Sequence, residues 1–134
     1  NAMWNRRQTT KFNGASYVIQ RGAAAIYTPE GKEQIEQTIA YYQENARVIK
    51  EALEASGYTV YGAVNSPYVW CETPGDIGSW EFFDILLERC GVITTPGAGF
   101  GPAGEGYIRF TAFGDAEATK EAMHRIEDLA FDMQ

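Results

Sequence analysis

PGAGFGPAGEGYIRFTAFG, residues 96–114, carries five glycines, then an alternating run with a single arginine, Arg109, at its centre, and a sixth glycine after it. Gly99, Gly101 and Gly104 satisfy the G-x-G-x-x-G spacing of a dinucleotide-binding turn. That turn works only when a strand precedes it and a helix follows, so that the helix N-terminus faces the pyrophosphate. Here the glycines lead into YIRFTAF, a β-branched and aromatic alternation that predicts a strand. Pro96 and Pro102 punctuate the segment as well. The stretch therefore reads as a mobile or tightly turned loop that delivers a strand, not as a phosphate cradle.

Along that strand, Tyr107, Arg109, Thr111 and Phe113 share one face, and Ile108, Phe110 and Ala112 the other. The second set suits a helix-covered core. Arg109 is then left on the opposite face, flanked by two aromatics and a hydroxyl. Its guanidinium offers a planar donor fork that matches a carboxylate at two points. Held on a rigid strand beside the loop, it would make a carboxylate receptor. The plainer alternative is a rim arginine paired with Glu105 or Glu72.

The pattern upstream is helical first and mixed later. Residues 15–27, ASYVIQRGAAAIY, predict a short, mostly buried, alanine-rich helix. Thr28 offers an N-cap, with Pro29 at the first helical position and Glu30 in the first turn. Ile35, Ile39, Tyr42, Ala46, Ile49 and Leu53 then form one apolar stripe along a long helix that Gly57 ends. YTVYG and SPYVWCET predict two strands, and Gly78 and Ser79 open a helix in which Trp80, Phe83, Leu87 and Cys90 share a face. VITTPG is a short strand. After YIRFTAF, Asp115 caps a terminal helix that turns Ala122, Ile126 and Leu129 inward. The predicted class is α+β, a two-layer arrangement with a small mixed sheet and helices on one of its faces.

Bulk properties narrow the function. The 134 residues, 45% of them hydrophobic, suffice for one real core. A net charge of −7 argues against nucleic acid, and no apolar run approaches the roughly 20 residues needed to cross a bilayer. Cys71 and Cys90 both lie in apolar settings, which predicts buried free thiols in a reducing compartment. His124 alone makes neither a metal site nor a triad. Lys32, Lys50 and Lys120 sit in charged helical segments, and Lys11 sits in the basic patch with Arg6 and Arg7. None has the apolar surroundings that activate a lysine for Schiff-base chemistry. Taken alone, Asn13 reads as a turn former before Gly14.

Three blocks, RRQTTKFNGASYVIQ at 6–20, YGAVNSPYVW at 61–70 and TPGAGFGPAGEGYIRFTAFG at 95–114, together resemble the C-terminal part of class I/II aminotransferases. These are fold-type I pyridoxal-phosphate enzymes, and the blocks are most similar to the diaminopimelate branch. The resemblance implies homodimers with sites between a large domain, a small domain and the neighbouring subunit. It implies amino transfer between LL-diaminopimelate and 2-oxoglutarate in lysine biosynthesis, in the cytoplasm. It places the arginine that binds the substrate α-carboxylate at Arg109, in GEGYIR, and the asparagine that contacts cofactor and substrate at Asn13, in TTKFNG. It divides the chain into 1–27, the tail of the large domain, and 28–134, the small domain; Asn1 and Ala2, ahead of Met3, are either a tag remnant or native sequence.

In this family the lysine that binds pyridoxal phosphate lies upstream of the TTKFNG block, as do the groups that hold the phosphate and the pyridine ring. The expectation is a carboxylate grip without the chemistry, so that this chain alone is inactive. Trp4, Phe12, Tyr17 and Ile19 are then expected in an exposed patch. A different class remains open on the residues alone: a stand-alone amino-acid-binding or regulatory module that senses its ligand through Arg109.

Overall fold

The computed structural model describes residues 1–12 and 14–132. Its elements run α1 (Ala2–Lys11), α2 (Tyr17–Ala25), α3 (Pro29–Ala55), β1 (Val60–Gly62), β2 (Tyr68–Glu72), α4 (Ser79–Cys90), β3 (Thr95–Pro96), β4 (Tyr107–Thr111) and α5 (Ala116–Asp132). Two compact units divide at the middle of α3, Asn1–Thr38 and Ile39–Gln134.

In the first unit, Thr28 Oγ1 accepts the Gly31 N–H at 3.1 Å, the cap predicted for α3. Gly31 is needed there for a second reason: a Cβ would fall 2.2 Å from the Ala25 carbonyl oxygen. Neither α1 nor α2 contains a buried residue. The predicted burial of 15–27 is thus corrected, because apolar content made that helix look like core while its Tyr17, Val18 and Ile19 lie exposed. Trp4 is 68% exposed, and Phe12, Tyr17 and Ile19 are exposed with it, as expected. α1 itself was not predicted. Its sequence has no apolar stripe, and none of its side chains is buried.

The second unit is a four-stranded sheet of order β1-β2-β4-β3 with its core on one face. All three strand pairings are antiparallel, so the α+β class holds but the sheet is not mixed. β1–β2 and β3–β4 join strands that follow one another in the chain, whereas β2 and β4 pair across the connection that holds α4 and β3. Val69 and Cys71 of β2, with Ile108 and Phe110 of β4, point into the core. Ala46, Ile49 and Leu53 of α3, Phe82, Leu86 and Cys90 of α4, and Met123, Ile126 and Leu129 of α5 close over them.

Two predicted stripes need correction. On α3, Ala46, Ile49 and Leu53 are buried and Tyr42 half-buried, whereas Ile35 and Ile39 are exposed. On α4 the buried face is Ser79, Phe82, Leu86 and Cys90, leaving Trp80 60% exposed and Leu87 outward. WEFFDILLERC is apolar at so many positions that two stripes fit a 3.6-residue period, and the sequence alone did not choose between them. VITTPG contributes only the two residues of β3.

The capping reads hold elsewhere. Gly57 adopts φ +87° just after α3, and Tyr58 N–H returns to the Leu53 carbonyl at 3.0 Å. Asp115 Oδ1 accepts from the N–H groups of Glu117 and Ala118, both at 3.0 Å. A buried polar residue ties these pieces together: Asn45 Nδ2 donates to the Ala112 and Gly114 carbonyls at 3.1 and 2.9 Å. It fixes the chain as it leaves β4, and so the end of the strand that carries Arg109.

Candidate functional site

The helix-free face of the sheet presents Tyr68 and Trp70 from β2, and Tyr107, Arg109 and Thr111 from β4. Alternation along β4 puts them there, as predicted: Ile108 and Phe110 are buried, while Tyr107 and Arg109 are half-buried and Thr111 exposed. Trp70 and Thr95 are the cross-strand partners of Arg109 on either side. The cation therefore sits on a strand paired along both edges, which limits its backbone freedom.

Two aromatic rings hold its head group. The guanidinium carbon lies 4.4 Å from the ring centre of Tyr68 and 4.4 Å from that of Phe100. Each such contact is worth about 0.5 to 2 kcal/mol, depending on desolvation. Tyr68 is braced from behind: Phe113 meets it edge-on at 5.9 Å, and Tyr42 of α3 meets Phe113 at 4.9 Å. Phe100 comes from the glycine loop and packs edge-on against Trp70 at 5.4 Å.

No acid neutralises Arg109 among the described residues, and its Nε is buried without a hydrogen-bond partner. Both carboxylates that could have paired with it are engaged elsewhere. Glu72 accepts from the Tyr61 hydroxyl at 2.7 Å, which raises the phenol above its ordinary range. Glu105 Oε1 accepts the Ser79 N–H at 2.7 Å, and this backbone bond, more than any other influence, holds its carboxyl below the ordinary range. The rim-pair alternative is thereby removed. A half-buried cation with aromatic neighbours and no counter-charge has the chemistry to take an external anion.

The glycine loop is a pair of 3₁₀ turns, Gly97–Phe100 and Pro102–Gly104. Its limbs touch: a Cβ on Gly97 would lie 2.1 Å from the Gly104 carbonyl oxygen, and one on Gly104 would lie 2.0 Å from that of Gly97. Close backbone approach, not phosphate binding, accounts for these two glycines. The loop is stitched to the start of α4 by Ser79, whose hydroxyl donates to Gly104 O at 3.2 Å and accepts Gly106 N–H at 3.0 Å. Glu105 thus caps from outside a helix whose own N-cap residue is Gly78. An open cleft of about 510 Å³ lined by Tyr61, Trp70, Phe100, Ala103, Gly104 and Tyr107 lies on the same face.

Asn13, the other predicted site residue, lies outside the described residues. Phe100, Tyr68 and Ser79 were not singled out as site residues from sequence. The only signal was the aromatic content around Arg109, which does not reveal which rings stack on it.

The profile described as Aminotransferase class I and II matches residues 3–126. The chain belongs to this family. It is 62% identical over 131 residues to the LL-diaminopimelate aminotransferase of Methanosphaera stadtmanae, covering 98% of this chain and 32% of that protein. The LL-diaminopimelate aminotransferase of Bacteroides fragilis is 61% identical over 128 residues, covering 96% and 31% respectively. Among solved structures, the L,L-diaminopimelate aminotransferase of Chlamydomonas reinhardtii superimposes with a TM-score of 0.89 at 45% identity, over 96% of this chain and 32% of that one. The chain thus spans about a third of the length of the relatives it matches.

Proposed function

We propose that this chain supplies the substrate-carboxylate grip of a pyridoxal-phosphate-dependent aminotransferase that moves an amino group between LL-diaminopimelate and 2-oxoglutarate. The observation that carries the reading is Arg109, which is pinned on a paired strand, faced by two rings and left without an acid. A guanidinium so placed favours a planar anion in two-point contact. The relatives named above support the choice of substrate. Asn13 is assigned a contact to both cofactor and substrate, on the strength of the TTKFNG block.

Pyridoxal phosphate, when bound to such an enzyme, supplies the electron sink. The described residues do not fit its covalent anchor. Lys11, Lys32 and Lys120 are exposed, and Lys50 lies 3.7 Å from Glu54. A Schiff-base lysine instead needs desolvation or a neighbouring cation. The part played by this chain is to bind and orient: Arg109 takes the acid end of the amino or oxo acid, and the strand pairing keeps it in register. The chain alone is expected to transfer no amino group. Residues 1–27 are assigned to the tail of the large domain and 28–134 to the small domain of a cytoplasmic homodimer.

The test is a steady-state assay of the full-length holoenzyme with LL-diaminopimelate as donor and 2-oxoglutarate as acceptor. Glutamate formation dependent on both supports the reading. Turnover of other amino donors, with none of LL-diaminopimelate, overturns the substrate assignment.

A further inference from the structure

We propose that Phe100 is a positioning residue for the carboxylate site: its ring, delivered by the glycine loop, clamps the Arg109 guanidinium against Tyr68 and so sets the plane in which the donor fork meets substrate. The inference rests on the reading of Arg109 as the carboxylate grip and adds a residue to it.

The two rings that face Arg109 are held in different ways. Tyr68 is on a central strand and is backed by Phe113 and Tyr42, so its position is fixed by the core-forming elements. Phe100 is 53% exposed and ends a 3₁₀ turn, just before Gly101 with φ +117°. Its support comes from Trp70 and from the loop that carries it. That loop is in turn held by the Gly97–Gly104 contact and by Ser79 and Glu105.

An acid that bonded two of its nitrogens would orient the arginine but would also cancel its charge. Here neither Glu72 nor Glu105 does so. Two rings whose centres each lie 4.4 Å from the guanidinium carbon confine it instead, and neither takes up its N–H groups as an acid would. Preorganisation of this kind lowers the ordering cost of binding. It acts before any chemistry, so it belongs to binding rather than to turnover.

The experiment compares Phe100→Ala, Phe100→Leu, Phe100→Tyr and Arg109→Gln in the full-length holoenzyme. Glutarate serves as an unreactive dicarboxylate probe by calorimetry, alongside KM and kcat for 2-oxoglutarate. Phe100→Ala should weaken glutarate about tenfold and raise KM in parallel, with kcat within twofold. Phe100→Leu, which keeps apolar bulk without a π face, should behave more like Ala than like wild type, and Phe100→Tyr should restore affinity. Glutarate binding within twofold of wild type in both Phe100→Ala and Phe100→Leu, with a large loss in Arg109→Gln, overturns the clamp and leaves the carboxylate reading standing. No loss in Arg109→Gln overturns that reading itself. Equal loss of kcat and affinity in all the Phe100 variants, Tyr included, marks a structural lesion and also overturns the clamp.

Discussion

Removing one hydroxyl from the start of α4 should loosen the loop that carries Phe100. Ser79 is completely buried, and its Oγ both donates to Gly104 O at 3.2 Å and accepts Gly106 N–H at 3.0 Å. In Ser79→Ala the helix keeps its external cap, because the Ser79 backbone N–H still donates to Glu105. What is lost is the pair of hydroxyl bonds, which leaves a half-buried amide donor without its partner. An unsatisfied donor costs about 1 to 3 kcal/mol, so a loss near 2 kcal/mol is expected. At roughly 4 °C per kcal/mol for a domain of this size, Tm should fall by about 8 °C. Thermal and urea unfolding of the chain give the global number, and amide exchange at Gly106 locates it. A drop below about 0.5 kcal/mol, with Gly106 exchange unchanged, would refute the reasoning that this hydroxyl ties loop to helix.

Three other outcomes are expected. Asn45→Ala should cost about 2 to 4 kcal/mol in urea unfolding, since it strands the Ala112 and Gly114 carbonyls and opens a cavity beside β4; a variant within 0.5 kcal/mol of wild type contradicts this. Glu105 has its carboxyl held below the ordinary range mainly by the Ser79 N–H, so its contribution to stability is present above the unfolded value near 4.5 and is lost as pH falls through the depressed native value. Unfolding free energies measured from pH 7 down to pH 2 should therefore show a shallower acid decline in Glu105→Gln than in wild type, and identical declines sink the assignment. Burial pushes the Cys71 thiol up to about 12 against an unfolded value near 9, so that stabilising difference is intact below pH 9 and erodes as pH climbs towards 12. Both thiols are buried, and Ellman's reagent at pH 8 should label neither Cys71 nor Cys90 until denaturant is added; rapid labelling of either in the native chain contradicts their placement.

The strand carrying the site was legible because its alternation is strict: Ile108 and Phe110 inward, Arg109 outward, is a period-2 signal with no competing solution. The caps at Thr28 and Asp115 and the Gly57 terminus were legible for a similar reason, since each depends on residues within a few positions. The α4 face was not, because Trp80, Phe83 and Leu87 offered an apolar stripe as good as the true Phe82 and Leu86 one. Exposure of α2 was hidden by its own composition; apolar residues predict that a surface will be covered, not that this chain covers it. The Ser79–Glu105 stitch and the Phe100 stack join positions far apart in sequence, and such contacts leave no local pattern to read. What leaves Arg109 without an acid partner, the engagement of Glu72 and Glu105 by other donors, is of this kind.

One number bears hardest on the role of Arg109: the glutarate dissociation constant of the full-length holoenzyme with Arg109 and with Arg109→Lys. Lysine keeps the positive charge but loses the two-point fork and the flat surface between Tyr68 and Phe100. Hydrogen bonds to charged groups are worth about 1.5 to 3 kcal/mol, so binding should weaken roughly 10- to 150-fold. Equal affinity in the two proteins would mean that the guanidinium does not hold the substrate carboxylate.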